Sequence, residues 1–329
     1  MSRRTPVPTR AITTLYPNLA PLARMATRLH PRPATLDVPV SASKIGGPIL
    51  WPLADPWPTC GDPEYALQPV ELAPDDPFSS MVARHSPGLA RHGTAYDGVG
   101  VGLDDPRHTG IVLPILQIRR ADVRDLPFPE ESDLFQLIWC SRLHMPDLQP
   151  RVRIAWRTKR LLTHTRRQFP APRSDEAHLG PHHEDLLIPL RICVLQPERV
   201  VEYPSLRELE DMGVVSTDTL ADLFDESERG TLGTAYAGTK VGGYPDWIQD
   251  PVWPQCANGH TMVHLLTFDS SEPLDTLLLS ADERGERWRA AQAGWEFAEP
   301  TGMIFGRFGR TYIFYCPACP EHPLAVETQ

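Results

Sequence analysis

The chemistry in this chain is concentrated in sulfur and imidazole. In CANGH, His260 stands four residues after Cys256, and in CPAC, Cys319 stands three after Cys316. A Cys-x3-His turn and a Cys-x2-Cys knuckle together offer four ligands, the number a closed tetrahedral zinc site uses. The stretch from His260 to Cys316 is longer than in a small zinc finger, so neighbouring strands must bring the two pairs together. Two other readings exist: a lone Cys-x2-Cys also suits a redox pair, and the four side chains could be unrelated buried thiols and a solvated histidine. A catalytic zinc keeps an open position, and four protein ligands leave none. The expectation is a structural zinc ion and no catalytic residue at this place.

The first half carries an altered copy. Cys60 and Cys140 correspond to Cys256 and Cys316, and CSRLH sets His144 four residues after Cys140. These three make an incomplete metal candidate, whose fourth ligand would come from His85, His92 or His108. Cys193 has no partner at useful spacing and lies in an apolar strand pattern, so it is expected in the core. The correspondence extends to a longer repeat. Residues 44–60, KIGGPILWPLADPWPTC, align without a gap with residues 240–256, KVGGYPDWIQDPVWPQC, and share seven identities. Adjacent glycines permit positive φ and a sharp turn against a strand. The tryptophans bring large apolar surfaces that can pin a proline-rich segment. No Gly-Lys-Ser/Thr follows either glycine pair, so the motif reads as a structural corner and not as a phosphate loop.

The elements that must position these residues are mostly strands. With 36 prolines in 329 residues, long helices should be scarce. Spacing of Leu22, Met25, Ala26 and Leu29 predicts a short helix over 18–29. Strands are predicted over 111–120, 133–140, 151–157, 185–197, 262–270 and 303–316. RVRIAWR alternates, with Val152, Ile154 and Trp156 inward. Ser205 and Glu208 have capping-box spacing, a second helix should begin near Asp218, and another helix is expected over 281–292. The predicted fold is α+β, mainly β: internally duplicated β-rich halves with short helices and long Pro-rich loops. Its organisation is an N-terminal arm and short helix (1–35), a first β-rich half (36–204) with an insertion at 61–110, a helical connector (205–239), and a second β-rich half (240–329) holding the zinc knuckle.

Bulk properties narrow the function. A net charge of −10 argues against a general phosphate-backbone binder. No apolar run approaches the roughly 20 residues that cross a bilayer. The N-terminal stretch has two early arginines but no apolar h-region, so a cytoplasmic location is expected. Residues 151–173 hold eight Lys or Arg and no acid, which reads as a solvated edge that discourages strand pairing. His182, His183, Glu184 and Asp185, and the group Asp104, Asp105 and His108, read as polar surface.

These motifs resemble the YwqG-like domain family, itself related to programmed-cell-death-protein-2 type proteins. The resemblance is carried by K-[IV]-G-G with Trp, Trp-Pro-x-Cys, LPILQIRR, GGYPDWIQDP and FGRTYIFYCPAC. It covers roughly residues 40–140 and 240–320. The resemblance implies a β-rich, duplicated fold and, from the eukaryotic relatives, a cytosolic chaperone role toward a ribosomal protein with cysteine-rich zinc sites. This chain lacks their inserted zinc finger and keeps one Cys-x2-Cys, which points to a protein-binding module of another specificity. The reading is therefore a chaperone-like or adaptor module with a protein partner. A metal-dependent hydrolase built on the first-half histidines and a toxin-immunity protein are the alternatives.

Overall fold

The computed structural model describes residues 4, 5, 7–34, 37–60, 112–144, 149–162, 164–166, 169, 191–228, 232–272, 300–305 and 309–329. The 61–110 insertion and the 281–292 helix lie outside these residues, as does all of the 185–197 strand before Arg191. The strands are β1 (Arg24–Arg28), β2 (Arg32–Pro33), β3 (Lys44–Ile45), β4 (Val112–Arg119), β5 (Leu134–His144) and β6 (Gln149–Arg157), then β7 (Cys193–Val194), β8 (Glu198–Glu202), β9 (Lys240–Gly242), β10 (Val263–Asp269), β11 (Arg310–Tyr315) and β12 (Leu324–Thr328). Helices are short: α1 (Ile12–Leu15), α2 (Leu206–Asp211) and α3 (Thr217–Glu228). The protein is mainly β, as its proline content and strand patterns predict.

Among the described residues the strands form two six-stranded antiparallel sheets. The first runs β2-β7-β3-β4-β5-β6 and the second β8-β1-β9-β10-β11-β12, so the two orders correspond strand for strand. Registers correspond as well. Leu116 faces Ile45 and Leu137, as Leu266 faces Val241 and Ile313. Both sheets interrupt at the same place, between Pro114 and Leu116 and between His264 and Leu266.

The opening strand of each copy is exchanged. β1 pairs with β8 and β9 in the second sheet, and β7 pairs with β2 and β3 in the first. Lys44 faces Val194 and Ile45 faces Cys193, just as Lys240 faces Arg28 and Val241 faces Thr27. Sheet membership thus cuts across the sequence boundaries, because β1 and β8 both belong to the second sheet. The helix expected over 18–29 is corrected by the same fact. Pro17–Leu22 form a 3-10 turn interrupted by Pro21, and Arg24–Arg28 form a strand. The apolar spacing that suggested a helix serves a strand with Leu29 in the core, where backbone pairing on both sides outweighs weak helical propensity.

The two sheets share one core. Leu113, Ile115, Phe135, Leu137 and Trp139 of the first meet Leu266, Phe268, Phe305 and Ile313 of the second. Trp139 packs edge-on to Phe268 at 5.1 Å and to Phe305 at 6.1 Å. Each such fully buried side chain contributes about 1.5–3 kcal/mol, more than an exposed ion pair does. Val152, Ile154 and Trp156 pack partly buried against this core from β6, matching the predicted inward set.

The repeated motif covers the outer face of its own sheet. Ile49, Trp51 and Trp57 lie on Val112 and Ile138, while Trp247 and Trp253 lie on Tyr312 and Phe314. All four motif glycines have positive φ, between 65° and 72°. At Gly243 a side chain would collide with Ala26 and the Glu202 carboxylate, so the close backbone approach needs glycine. The motif is the structural corner that its composition predicts.

Candidate metal centre

Two tight turns place the four ligands. In the first, Cys256 N–H donates to His260 O (3.0 Å) and Gly259 N–H donates to Cys256 O (2.8 Å). Gly259 takes φ +78°, which closes the loop and returns His260 beneath Cys256. The second turn leaves the end of β11. There Cys316 N–H donates to Pro323 O and His322 N–H to Cys319 O, each at 3.0 Å. Because β10 and β11 are hydrogen-bonded neighbours, the segment entering β10 and the segment leaving β11 emerge side by side. That pairing closes the long sequence gap.

The candidate ligand atoms of Cys256, His260, Cys316 and Cys319 all lie within 4.8 Å of one another. Cys256 Sγ is 3.7 Å from Cys319 Sγ. His260 Nδ1 is 3.5 Å from the sulfurs of Cys256 and Cys319 and 3.7 Å from that of Cys316. A tetrahedral ion with bonds of about 2.3 Å to sulfur and about 2.0 Å to nitrogen sets edges of about 3.8 Å between sulfurs and about 3.5 Å between sulfur and nitrogen. The group could therefore hold a metal ion. The three cysteines are buried and His260 is exposed, so the ligand set is closed on the protein side and open to solvent only past the imidazole.

The surroundings favour thiolate at Cys256. Burial works to raise the Cys256 thiol, but hydrogen bonds from the backbone of His260 and Asn258, with help from Cys316 and Cys319, outweigh it and hold the group at about 6. Asn258 Nδ2–H donates to Cys319 Sγ at 3.2 Å. That bond pulls Cys319 down, yet burial and the neighbouring Cys316 and Cys256 carry it up overall. Adjacent sulfurs thus resist ionising together, and a bound dication removes that conflict.

Around the sulfurs stands an aromatic wall. Trp247 stacks on Phe314 at 5.9 Å and tilts over Tyr312 at 4.8 Å. Trp253 Nε1–H donates to Glu208 Oε1 at 3.0 Å, which ties the segment leading to Cys256 to α2. In the sequence Glu208 stands out only as a capping-box residue, and the only trace of Asn258 is its place inside CANGH.

The first copy is different. Cys60 is half-buried in the outer cluster of the first sheet, and Cys140 is buried on β5. His144 is on β5, but its side chain lies outside the described residues, as do His85, His92, His108, His182 and His183. Among the described residues, the metal-capable group is the second-half quartet. Cys193 is core, its thiol donating to Pro300 O at 3.2 Å. No helix among the described residues is long and apolar enough to cross a membrane.

Fold and site define a mainly-β protein of two matched antiparallel sheets, the second carrying a Cys3His group whose cysteines are buried and whose histidine is exposed. No family model and no curated protein matches the chain.

Proposed function

We propose that the chain is a protein-binding module, chaperone-like or adaptor in kind, whose second sheet is cinched by a structural zinc ion at Cys256, His260, Cys316 and Cys319. The observation that carries this reading is the closed donor set. Three sulfurs and one imidazole suit a soft, tetrahedral ion such as zinc, and four protein ligands leave no position for a substrate. When bound, the ion supplies cross-linking and no Lewis-acid chemistry; Cys256 and His260 hold the strand entry while Cys316 and Cys319 hold the strand exit.

With the ion serving the framework, function falls to the surface. Met25 and Val201 are cross-strand partners on β1 and β8 and remain 38% and 47% exposed. An apolar pair beside a sheet edge suits an extended segment of another protein. The resemblance to the YwqG-like family is consistent with that role in the cytoplasm, and a resident protein partner follows from it.

Metal analysis of the purified chain tests the first part. The expected result is one zinc per chain, lost in Cys319→Ser together with a lower unfolding midpoint. Full retention of metal by that variant would remove the assignment. For the second part, the chain recovered from its native cell should carry a stoichiometric protein that Val201→Arg no longer retains. Recovery unaffected by Val201→Arg would move the contact elsewhere, and absence of any stoichiometric protein would reject the binding role.

A further inference from the structure

We propose that Cys256 and Cys319 are a peroxide-sensitive pair, whose oxidation to a disulfide expels the metal ion and takes over its cross-link. Their sulfurs are in contact at 3.7 Å, so closing to a bond of about 2 Å asks only a small side-chain movement. The two cysteines belong to different turns: Cys256 precedes β10 and Cys319 follows β11. A bond between them therefore spans the gap that the ion spans. Cys316 is fully buried, while Cys256 and Cys319 keep 9% and 5% exposure, so the first sulfur of the knuckle is the one shielded from a solute.

The frame around the pair is built from the backbone. Cys256 N–H donates to His260 O and Gly259 N–H to Cys256 O, which closes the first turn. Cys316 N–H donates to Pro323 O and His322 N–H to Cys319 O, which closes the second. Pairing of β10 with β11 fixes the distance between the turns. The sulfurs thus stay opposed whether the ion or a covalent bond joins them, and that is the condition for a reversible pair. His260 is the exposed member of the quartet, so a small oxidant enters past its imidazole. Cys256 is the more exposed sulfur of the pair and meets the oxidant first. Asn258 Nδ2–H donates to Cys319 Sγ at 3.2 Å and holds that sulfur beside it.

Coordination keeps both sulfurs as thiolates. The Cys256 thiolate attacks one oxygen of hydrogen peroxide, breaks the O–O bond and expels hydroxide, leaving a sulfenic acid on Cys256. The Cys319 thiolate then attacks the Cys256 sulfur, forms the Cys256–Cys319 bond and expels a second hydroxide. Two thiolates are oxidised, one peroxide is reduced to two hydroxide ions, and these take protons from solvent to become water. The ion keeps only Cys316 and His260 and dissociates. Its release rests on the zinc reading above, whereas the linkage is read separately.

The test uses the full chain purified with zinc, treated with one equivalent of hydrogen peroxide, alkylated, and mapped without reduction by fragmentation mass spectrometry. A metal-binding dye follows zinc in the same sample. The expected result is a Cys256–Cys319 link, alkylated Cys316 and one zinc released per link, all reversed by a small dithiol with zinc resupplied. A chain that takes up no zinc would overturn the zinc reading and ion release together. Zinc bound and then retained after peroxide, or released with Cys316 linked to Cys319 instead, would overturn the pair and leave the zinc reading standing. Every measurement is made on the wild-type chain, so no variant has to fold.

Discussion

The two copies solve the same buried lysine differently. Lys240 Nζ donates to both oxygens of Glu202 at 2.9 Å, and Glu202 also accepts Tyr244 N–H (2.6 Å) and Tyr236 N–H (3.0 Å). Both side chains are fully buried, and every carboxylate oxygen has two partners. Lys44 instead donates to the carbonyls of Pro39 and Val40, and burial brings it down to about 8. Beside Lys240, His264 has Nδ1 against Gly242 O and Nε2 against Thr267 Oγ1, a neutral ring with both nitrogens partnered. Burial, then the Lys240 charge, lower it to about 3. The folded state therefore forgoes a proton that the unfolded histidine binds below its ordinary value of 6.5. From about pH 6.5 to about pH 5 this costs roughly 2 kcal/mol of stability. Glu272 acts in the opposite sense, raised by burial and then by Asp269 to about 7. Folded Glu272 keeps a proton that the unfolded chain releases, so its contribution to stability grows as pH falls from about 7 toward 4.5. Glu272→Gln should thus expose the histidine's acid loss relative to wild type, while His264→Asn should make acidification stabilising over the same window. Urea unfolding at about pH 5 and pH 7 reads both, and identical profiles for the two variants would contradict the assignment.

At the scale of elements, α2 joins the connector to the segment that carries Cys256 and His260. Ser205 Oγ accepts Glu208 N–H at 3.3 Å, and Glu208 Oε2 accepts Ser205 N–H at 3.0 Å, completing the capping box. The other Glu208 oxygen accepts from Trp253. Ser205→Ala should cost about 1 kcal/mol in urea unfolding and leave metal content unchanged; metal loss in that variant would mean that the helix, and not the ligands, holds the centre. This box was legible in the sequence because capping is a local, fixed-spacing interaction. So were β4, β5, β6, β10 and β11, whose apolar patterns are long, and the Cys256, His260, Cys316 and Cys319 group, whose spacing within each pair is local. The 18–29 segment was misread because its apolar residues fit a helix, while its actual partners, Val200 and Val241, lie far away in sequence. The link from Trp253 to Glu208 and the contact of Asn258 with Cys319 were illegible for the same reason: tertiary folding creates them.

Exchange of the opening strands sets how the whole molecule holds together. β1 lies between β8 and β9, so among the described strands it alone bridges β8 to the rest of the second sheet. β7 stands likewise between β2 and β3. Each copy thus supplies an interior strand to the other, and the inner faces of both sheets share one core. An isolated second copy would keep all four candidate ligands yet lack β1 and the core residues that the first sheet supplies, and any ion bound there must then compensate for lost burial. Cutting the chain at residue 180, between β6 and β7, separates the two copies without removing a described strand. Fragments 1–180 and 181–329 produced together should copurify one to one, unfold in a single transition and bind metal as the intact chain does. Fragment 181–329 alone should show no cooperative unfolding even with zinc in excess, since β8 and β9 lose their shared neighbour. A cooperative transition from that fragment alone would show that the exchanged strand is dispensable and that the second sheet is an independent unit.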